Sequence, residues 1–563
     1  MIAWVNLHLG FVAGLGLVVA FTAIEFLEMM SPGRRRAEAI RRLRSSAPWF
    51  GATALATLVN PWGWEIYQAL IRQNHAMALH AARIVEWGSV PINWPAARTA
   101  LSMTNTRGAF YVLLAIAAIA TLVALLQRCL GAALLLAGAT WLGAQHVRLE
   151  ALTGCVVVVV GGSFLFLAAQ QIRLRVSNPR VRMVLSASFV AVFAALAFAR
   201  SVDVVTNRRS LVTNDRTYSV LTFGTGLSWW LPERAAGFIE HENLPGEIFN
   251  SYDEGGYLVW RLGQKYRDYI DGRAIPFGPE SFRRESELLH TSPDSELWQQ
   301  EADRYNIHTI ILPLSRFGGA SRSLATFCKS REWMPVYLDE ISAVFVRRTP
   351  KTEDLIGHLR LDCWLAPLPA GTLLRSPQGS FNQWANAASV LAALGRNSQA
   401  LAASDRARLI VPGSPFVPWL QGNIYHDEGL RSDAEREYLK AISLEGGEPS
   451  LWFSLARLYK DEGRIPESIR AQRRAIDLSS MPQPWELLKL AQLNLEIQEP
   501  KVALKTFDEA VRNAAPDVLD GTGARSFKYE EALGRAAAWR ALGDTKRAGY
   551  FEDEAVRDLL PQQ

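Results

Sequence analysis

The segment PWFGATALATLVNPWGW, residues 48–64, is the stretch on which the reading of the whole chain turns. It is apolar but short, and it ends in tryptophans, which favour a membrane–water interface. Upstream lies MMSPGRRRAEAIRRLRSS (29–46), with Arg34, Arg35, Arg36, Arg41, Arg42 and Arg44 against a single acid. Downstream, RLRVSNPRVR (173–182) carries Arg173, Arg175, Arg180 and Arg182. Short arginine-rich loops stay in the cytoplasm, so both belong on that face. Longer apolar runs lie near 7–28, 108–127, 130–147, 151–171 and 182–200. Each is long enough to cross a hydrocarbon core of about 30 Å as a helix. Two loops share a face only when an even number of spans separates them. Counting 48–64 as a span meets that condition, and omitting it does not.

The expectation is therefore a transmembrane domain of about six helices over residues 1–200. Its N-terminus lies outside the cytoplasm, as does everything after Ser201. In a bacterium this describes a multi-pass inner-membrane protein whose soluble half is periplasmic. An outside N-terminus without an upstream signal suggests a reading frame that starts within a longer parent, or a short tail that is translocated. Met1–Asn6 carries no charged side chain to hinder such crossing.

Composition agrees with a divided chain. The mean hydropathy of +0.03 averages an apolar N-terminal part against a charged C-terminal part. The net charge of +5 resides largely in the arginine loops, and no basic face is interleaved with aromatics as a base-stacking surface would require. Nucleic acid is excluded as a partner on that ground. Four cysteines are too few for a disulfide scaffold and lack zinc-ligand spacing. Cys129 and Cys155 fall in spans as packing residues, while Cys328 and Cys363 are able to pair in an oxidising compartment. No GxSxG, HExxH or P-loop is present, and the GTG at Gly224–Gly226 lacks the rest of a dinucleotide fingerprint.

From Phe381 onward a period of about 34 residues emerges, the length of a tetratricopeptide repeat. Gly395, Gly429 and Gly463 fall on it, as do Ala407, Ala441 and Ala475, then Ala388, Gly422 and Ala456, with Tyr425 and Tyr459 on the same grid. The glycines break the turn between paired helices, the small residues allow close approach, and the tyrosines fill the gap between pairs. The segment Trp485–Ala510 continues the pattern imperfectly, and GRAAAWRALGDTKRAGYFEDEAV reads as a final pair after an insertion, PDVLDGTGARSFKYEE. An α-solenoid over 381–563 is expected, offering a groove to a protein or peptide partner. A short array of this kind also serves simply to cap a neighbouring domain.

Between spans and solenoid, residues 201–350 alternate strand-like pieces (EIFNSY, YRDYIDG, HTIILPL, AVFVRR) with helix-like ones (LVWRL, ELWQQEADRYN, SRSLATFCKS). An extracytoplasmic α/β domain follows, joined to the solenoid by a linker over 351–380. Gly255 and Gly256 permit a tight turn into a helix, placing Asp253 and Glu254 at its entrance and Asp271 and Arg273 just beyond the next strand. The fold class is thus multidomain: transmembrane helical bundle, α/β domain and α-solenoid.

Three stretches of this middle region, FGTGLSWWLPERAAGFIEHENLPGEIFNSYDEGGYLVWRL (223–262), DYIDGRAIPFGPE (268–280) and REWMPVYLDEISAVFVRR (331–348), carry a resemblance. In the apolar part WVNLHLGFVAGL, LVNPWGWEIYQAL and VEWGSV carry it too. Together they resemble a family of bacterial polytopic proteins related to GT-C glycosyltransferases, in which a tetratricopeptide tail is a known companion. The resemblance spans nearly the whole chain. More distantly, SYDEGGY resembles the acidic aromatic motif that follows the membrane domain of oligosaccharyltransferase catalytic subunits. It implies sugar transfer from a polyprenyl-phosphate carrier at the outer face of the membrane, with membrane lipid as surroundings. By resemblance alone, a divalent metal is the implied cofactor. The family's acidic external loop lies upstream of the segment matching Trp4–Leu17, so this chain begins after it. Glu254 stands where the family pattern has an aromatic residue.

Each candidate residue has two readings. Asp253 contacts an acceptor or metal, or accepts backbone N–H groups at a helix start. Asp271 and Arg273 line a substrate groove, or form an ion pair fixing a loop. Glu86 beside Trp87 takes the place of the missing acid, or belongs to an interfacial anchor. It and Glu65 are the carboxylates between Asn60 and Gly108. His146 and Arg148 meet a lipid phosphate from a turn between spans, or form an ordinary hydrated turn. Arg98 and Arg107 are further cations of the same kind. Two functions remain: a GT-C-related envelope enzyme or its remnant, and a non-catalytic membrane-anchored scaffold.

Overall fold

The computed structural model describes residues 1–7, 10–30, 34–71, 89–90, 92, 94, 97, 108–175, 178–205, 227–272, 277–315, 323–370, 377–479, 483–514 and 524–559. The chain divides into two compact units, residues 1–194 and 195–563.

In the first unit, helix Phe11–Met29 is followed by helix Arg34–Ala56, which returns along it in the opposite direction. The pairing is documented along its length. Arg42 donates from Nε to Glu25 at 2.8 Å and from a terminal nitrogen to Glu28 at 2.7 Å. Phe21 and Phe50 meet edge to face at 5.6 Å, and beyond the pair Asn6 Nδ2, on helix Ile2–Leu7, donates to the Val59 carbonyl at 2.7 Å. Segment 48–64 is therefore not a helix of its own. The helix containing Pro48 begins within the arginine run, because Ala, Glu, Leu and Arg are strong helix formers. It stops at Ala56, and Asn60 then caps a turn by donating to the Thr57 carbonyl and accepting from the Trp62 N–H.

Three of the described helices are long and apolar enough to cross a membrane: Phe11–Met29, Ala109–Leu126 and Glu150–Gln171. Helix Leu130–Gln145 is apolar but shorter, at 16 residues. Helix Pro179–Val205 covers the remaining expected run. Ala117, Ala120 and Leu136 pack against Val156 and Val157, and small residues hold the helices close, as where Gly161 faces Ala120.

The second unit contains a four-stranded sheet: β1 (Ile248–Phe249), β2 (Thr309–Pro313), β3 (Trp333–Leu338) and β4 (Ser342–Arg347), in the order β1-β2-β4-β3. β1 runs parallel to β2, while β2/β4 and β4/β3 are antiparallel. Alternation along the strands sends Ile311, Val344 and Val346 to one face, beside helices Glu233–His241, Tyr252–Leu262 and Glu353–Leu359. Ile310, Leu312 and Phe345 go to the other face with Trp298 and Phe327. YRDYIDG forms one bridge, Asp268 to Ile248, rather than a strand. WMPVYL is a strand that the alternating pieces did not include.

Residues 351–370, expected as linker, carry helix Glu353–Leu359 and then a stretch fixed to the sheet's core. Cys363, buried, forms a disulfide with Cys328. Closing a loop with a sequence separation of 35 is worth about 3–4 kcal/mol through the unfolded chain. Arg396 of the solenoid donates to the Ala366 carbonyl at 2.7 Å.

The solenoid comprises helix pairs Pro377–Ala393/Asn397–Ile410, Phe416–Asp427/Arg431–Leu444, Pro449–Asp461/Ile465–Leu478, Pro484–Glu496/Pro500–Asn513 and Ala524–Ala541/Thr545–Leu559. The last pair claims ARSFKYEE, half of what reads as an insertion. Gly395, Gly429, Gly463 and Gly543 have φ of +71°, +77°, +74° and +82°, the left-handed turn that ends each first helix. In the fourth pair that place is taken by Gln498 at φ +61°, one residue late on the grid. A side chain in this conformation costs about 1 kcal/mol relative to glycine. Gln498→Gly should therefore stabilise by about 1 kcal/mol, seen as later chemical unfolding of the full-length protein by tryptophan fluorescence. An unchanged or earlier transition would contradict the assignment.

Candidate functional site

The second to fourth helix pairs enclose a cavity of about 510 Å³. Its lining starts on helix Phe416–Asp427 with Trp419 and passes to Phe453, Arg457 and Lys460 on helix Pro449–Asp461. It ends on Lys489 and Leu493 of helix Pro484–Glu496, with Ser468 and Gln472 as the floor. These residues converge because the first helices of successive pairs present the same face side by side.

The polar framework beneath is tightly bonded. Trp419 Nε1 donates to Ser454 Oγ at 2.9 Å, fixing the indole. Gln472 Nε2 donates to Glu486 at 2.6 Å, and Lys489 Nζ binds the same carboxylate at 2.8 Å. Asp461 is held by His426 Nε2 at 2.9 Å. Burial pushes the Tyr438 phenol up to about 12, so it stays a hydroxyl and donates to Asn423 at 2.8 Å. Asn423 also accepts from Arg457 at 3.5 Å. Both acids of the lining are thus engaged, and Arg457 and Lys460 are exposed residues at its rim. The arrangement offers a groove that sets Trp419, Phe453 and Leu493 among polar side chains, with Arg457, Lys460 and Lys489 as its cations.

A second cluster occupies one end of the sheet. β1 and β2 run parallel toward it, and the β3–β4 turn, Asp339–Ile341, lies there as well. Ser251 precedes helix Tyr252–Leu262, whose first turn holds Asp253 and Glu254. Asp253 is exposed, while Glu254 and Asp271 are each 2% exposed. Gly255 lies inside the helix rather than in a turn, and its role is close approach: a methyl group there would meet the Ile270 carbonyl and lie 2.8 Å from the Asp271 Cα. The turn is anchored by Arg234, which binds Asp339 at 3.2 Å, Glu340 and the Ala370 carbonyl. Glu340 also accepts from Gln383 of the first solenoid helix at 2.9 Å and from the Ala370 N–H at 3.0 Å. Burial, with Asp339 adjacent, raises the Glu340 carboxyl against the opposing pull of Arg234.

The structure brings the first turn carrying Asp253 against the segment carrying Asp271. His146 belongs to the other compact unit, as an extended residue between helix Leu130–Gln145 and the turn Val147–Leu149 that contains Arg148. Glu86, Arg98, Arg107 and Arg273 lie outside the described residues. Glu340, Gln383 and Arg234 were missed by sequence reasoning, since partners separated by up to 136 positions leave no local pattern.

A family model for the tetratricopeptide repeat matches residues 449–480, the pair that forms the centre of the groove. The chain contains tetratricopeptide repeats. Among solved structures, it is similar to the MamA protein at 16% identity and TM-score 0.27, covering 32% of this chain and 91% of that one. A similar likeness holds to YrrB, described as a TPR protein with an unusual peptide-binding site, at 15% identity and TM-score 0.27, covering 31% and 85%. For Pseudomonas aeruginosa pilF the values are 15% and 0.28, covering 33% and 80%. No curated protein matches the chain.

Gly255→Ala, which forces a methyl onto backbone, should destabilise by about 1–3 kcal/mol. Thermal scanning of the purified full-length protein would read this as a lower midpoint; a neutral result would mean that the helix and the 270–271 segment do not touch.

Proposed function

We propose that the chain is a membrane-anchored tetratricopeptide scaffold that holds a peptide segment of a partner protein in the groove of its second to fourth helix pairs. The carrying observation is the groove itself, in which Trp419, Phe453 and Leu493 lie with the exposed cationic residues Arg457 and Lys460. That chemistry suits an extended or helical segment with apolar side chains flanked by acids. Anchoring is supported by the three long apolar helices. Placement of the soluble half outside the cytoplasm is supported by the arginine-rich segments and by the Cys328–Cys363 disulfide, a bond that persists in oxidising compartments.

The resemblance to GT-C-related proteins supplies the other reading, sugar transfer from a polyprenyl-phosphate carrier. Its candidates Glu86, Arg98, Arg107 and Arg273 fall outside the described residues, and the described geometry favours the scaffold.

A photo-crosslinking amino acid in place of Phe453, in living cells, should capture a discrete protein adduct. Reversing the charges with Arg457→Glu and Lys460→Glu should lower its yield about tenfold, since charge-assisted hydrogen bonds are worth about 1.5–3 kcal/mol. No adduct, or a yield indifferent to the reversal, would refute the groove as the binding site. For location, the Cys328–Cys363 pair should resist alkylation in cells until a reductant is added, and alkaline phosphatase fused after residue 350 should be active. Free thiols and a silent fusion would place this half in the cytoplasm.

A further inference from the structure

The end of the sheet contains a carboxyl group that none of the preceding roles uses. Glu254 is 2% exposed, and neither of its oxygens has a hydrogen-bond partner. The Ser251 hydroxyl is near enough to interact but does not bond it in good geometry. Carboxylates face it from several elements: Asp253 on its own helix, Asp339 on the β3–β4 turn and Glu285 on helix Gly278–His290. Arg234, the guanidinium bound to the β3–β4 turn, is already shared between Asp339, Glu340 and the Ala370 carbonyl. Asp339 is further committed to the Tyr337 hydroxyl at 2.7 Å and to the Ile341 and Ser342 N–H groups at 2.7 and 2.8 Å. A buried negative charge here would be uncompensated, a state proteins avoid by keeping the group neutral.

The same turn grips the solenoid. Glu340, next to Asp339, accepts from Gln383 on helix Pro377–Ala393, and that helix and the turn after it send Val390 and Leu394 into the core of the sheet. What disturbs Asp339 is therefore felt where the solenoid begins. We propose that Glu254 is a proton-operated latch on the junction between the sheet and the solenoid. With its proton, Glu254 packs as a neutral group and the Asp339–Glu340 turn holds the first solenoid helix. Without it, a further negative charge confronts Asp339, Asp253 and Glu285, the turn moves off, and the Gln383 contact loosens.

The sign follows from the chemistry. Burial first, and then Asp253 and Asp339, push the Glu254 carboxyl well above its ordinary value of 4.5. The stabilisation is complete below that ordinary value and is lost as pH rises through the raised one. Glu340, raised in the same direction, contributes with the same sign, so the comparison of variants isolates Glu254.

The test is amide hydrogen exchange on the full-length protein across pH, corrected for intrinsic rates. Protection of helix Pro377–Ala393 is expressed relative to helix Pro449–Asp461 of the same molecule. In the unmodified protein the ratio should fall at least tenfold as pH rises, whereas Glu254→Gln should lose most of that fall and keep only the smaller part that Glu340 contributes. The infrared carbonyl band of a neutral carboxylic acid should fade in the unmodified protein over the same interval, which keeps the test valid if the variant folds poorly. A ratio independent of pH, a Glu254→Gln profile matching the unmodified one, or an acid band fading over a different interval would each overturn the latch.

Discussion

The helix Pro377–Ala393 belongs to two cores at once, and the second unit depends on that sharing. Phe381, Ala385, Ala388 and Leu391 pack into the solenoid. Val390 and Leu394 enter the hydrophobic layer beneath the sheet with Trp298, Phe327 and Phe345. A helical repeat array cannot bury its terminal face by itself and needs a cap. Here the sheet provides it, and the polar contacts Gln383–Glu340 and Arg396–Ala366 set the angle of the joint. A cap of this sort leaves the groove of the later pairs open, which is what a binding array requires.

The solenoid was legible in sequence because its periodicity lies in residues with no substitute. Only glycine enters the left-handed turn without cost, so Gly395, Gly429 and Gly463 mark the repeat. Where glycine is missing, at Gln498, the grid blurs and the pattern in the sequence is imperfect. Strand β3 was obscured for a related reason. Pro335 interrupts WMPVYL, and a register shift between Pro335 and Tyr337 accommodates it. Proline is tolerated in such an edge strand because its missing N–H faces away from the ladder.

The junction was not legible at all. Asp253 and Glu254 are adjacent acids at a helix start, and sequence assigns both the same helix-entrance environment. One is exposed and the other is buried without a hydrogen-bond partner, and the charges that act on the buried one, Asp339 and Glu285, come from distant parts of the chain. Likewise 351–370 looks like a tether, yet it is fixed by Cys328, the Leu361 N–H to Pro335 bond at 3.0 Å and the Arg396 contact. In the apolar half, the arginine run concealed a helix, because Arg34–Ala56 combines a charged start with an apolar end. Its ion pairs to Glu25 and Glu28 come from a helix whose hydropathy alone suggests only lipid contact.

The disulfide has one further consequence. Residues 329–362, containing β3, β4 and helix Glu353–Leu359, lie inside the ring closed by Cys328 and Cys363. Suppose the N-terminal half is held in place and a bound protein tugs on the solenoid. Tension travelling along the backbone reaches Cys328 and crosses directly to Cys363. The enclosed hairpin is then a slack side loop, carrying none of the covalent load. The β3–β4 turn that seats Glu340 would keep its shape while the rest of the molecule is under strain, so the joint works as a bearing rather than a link in the rope.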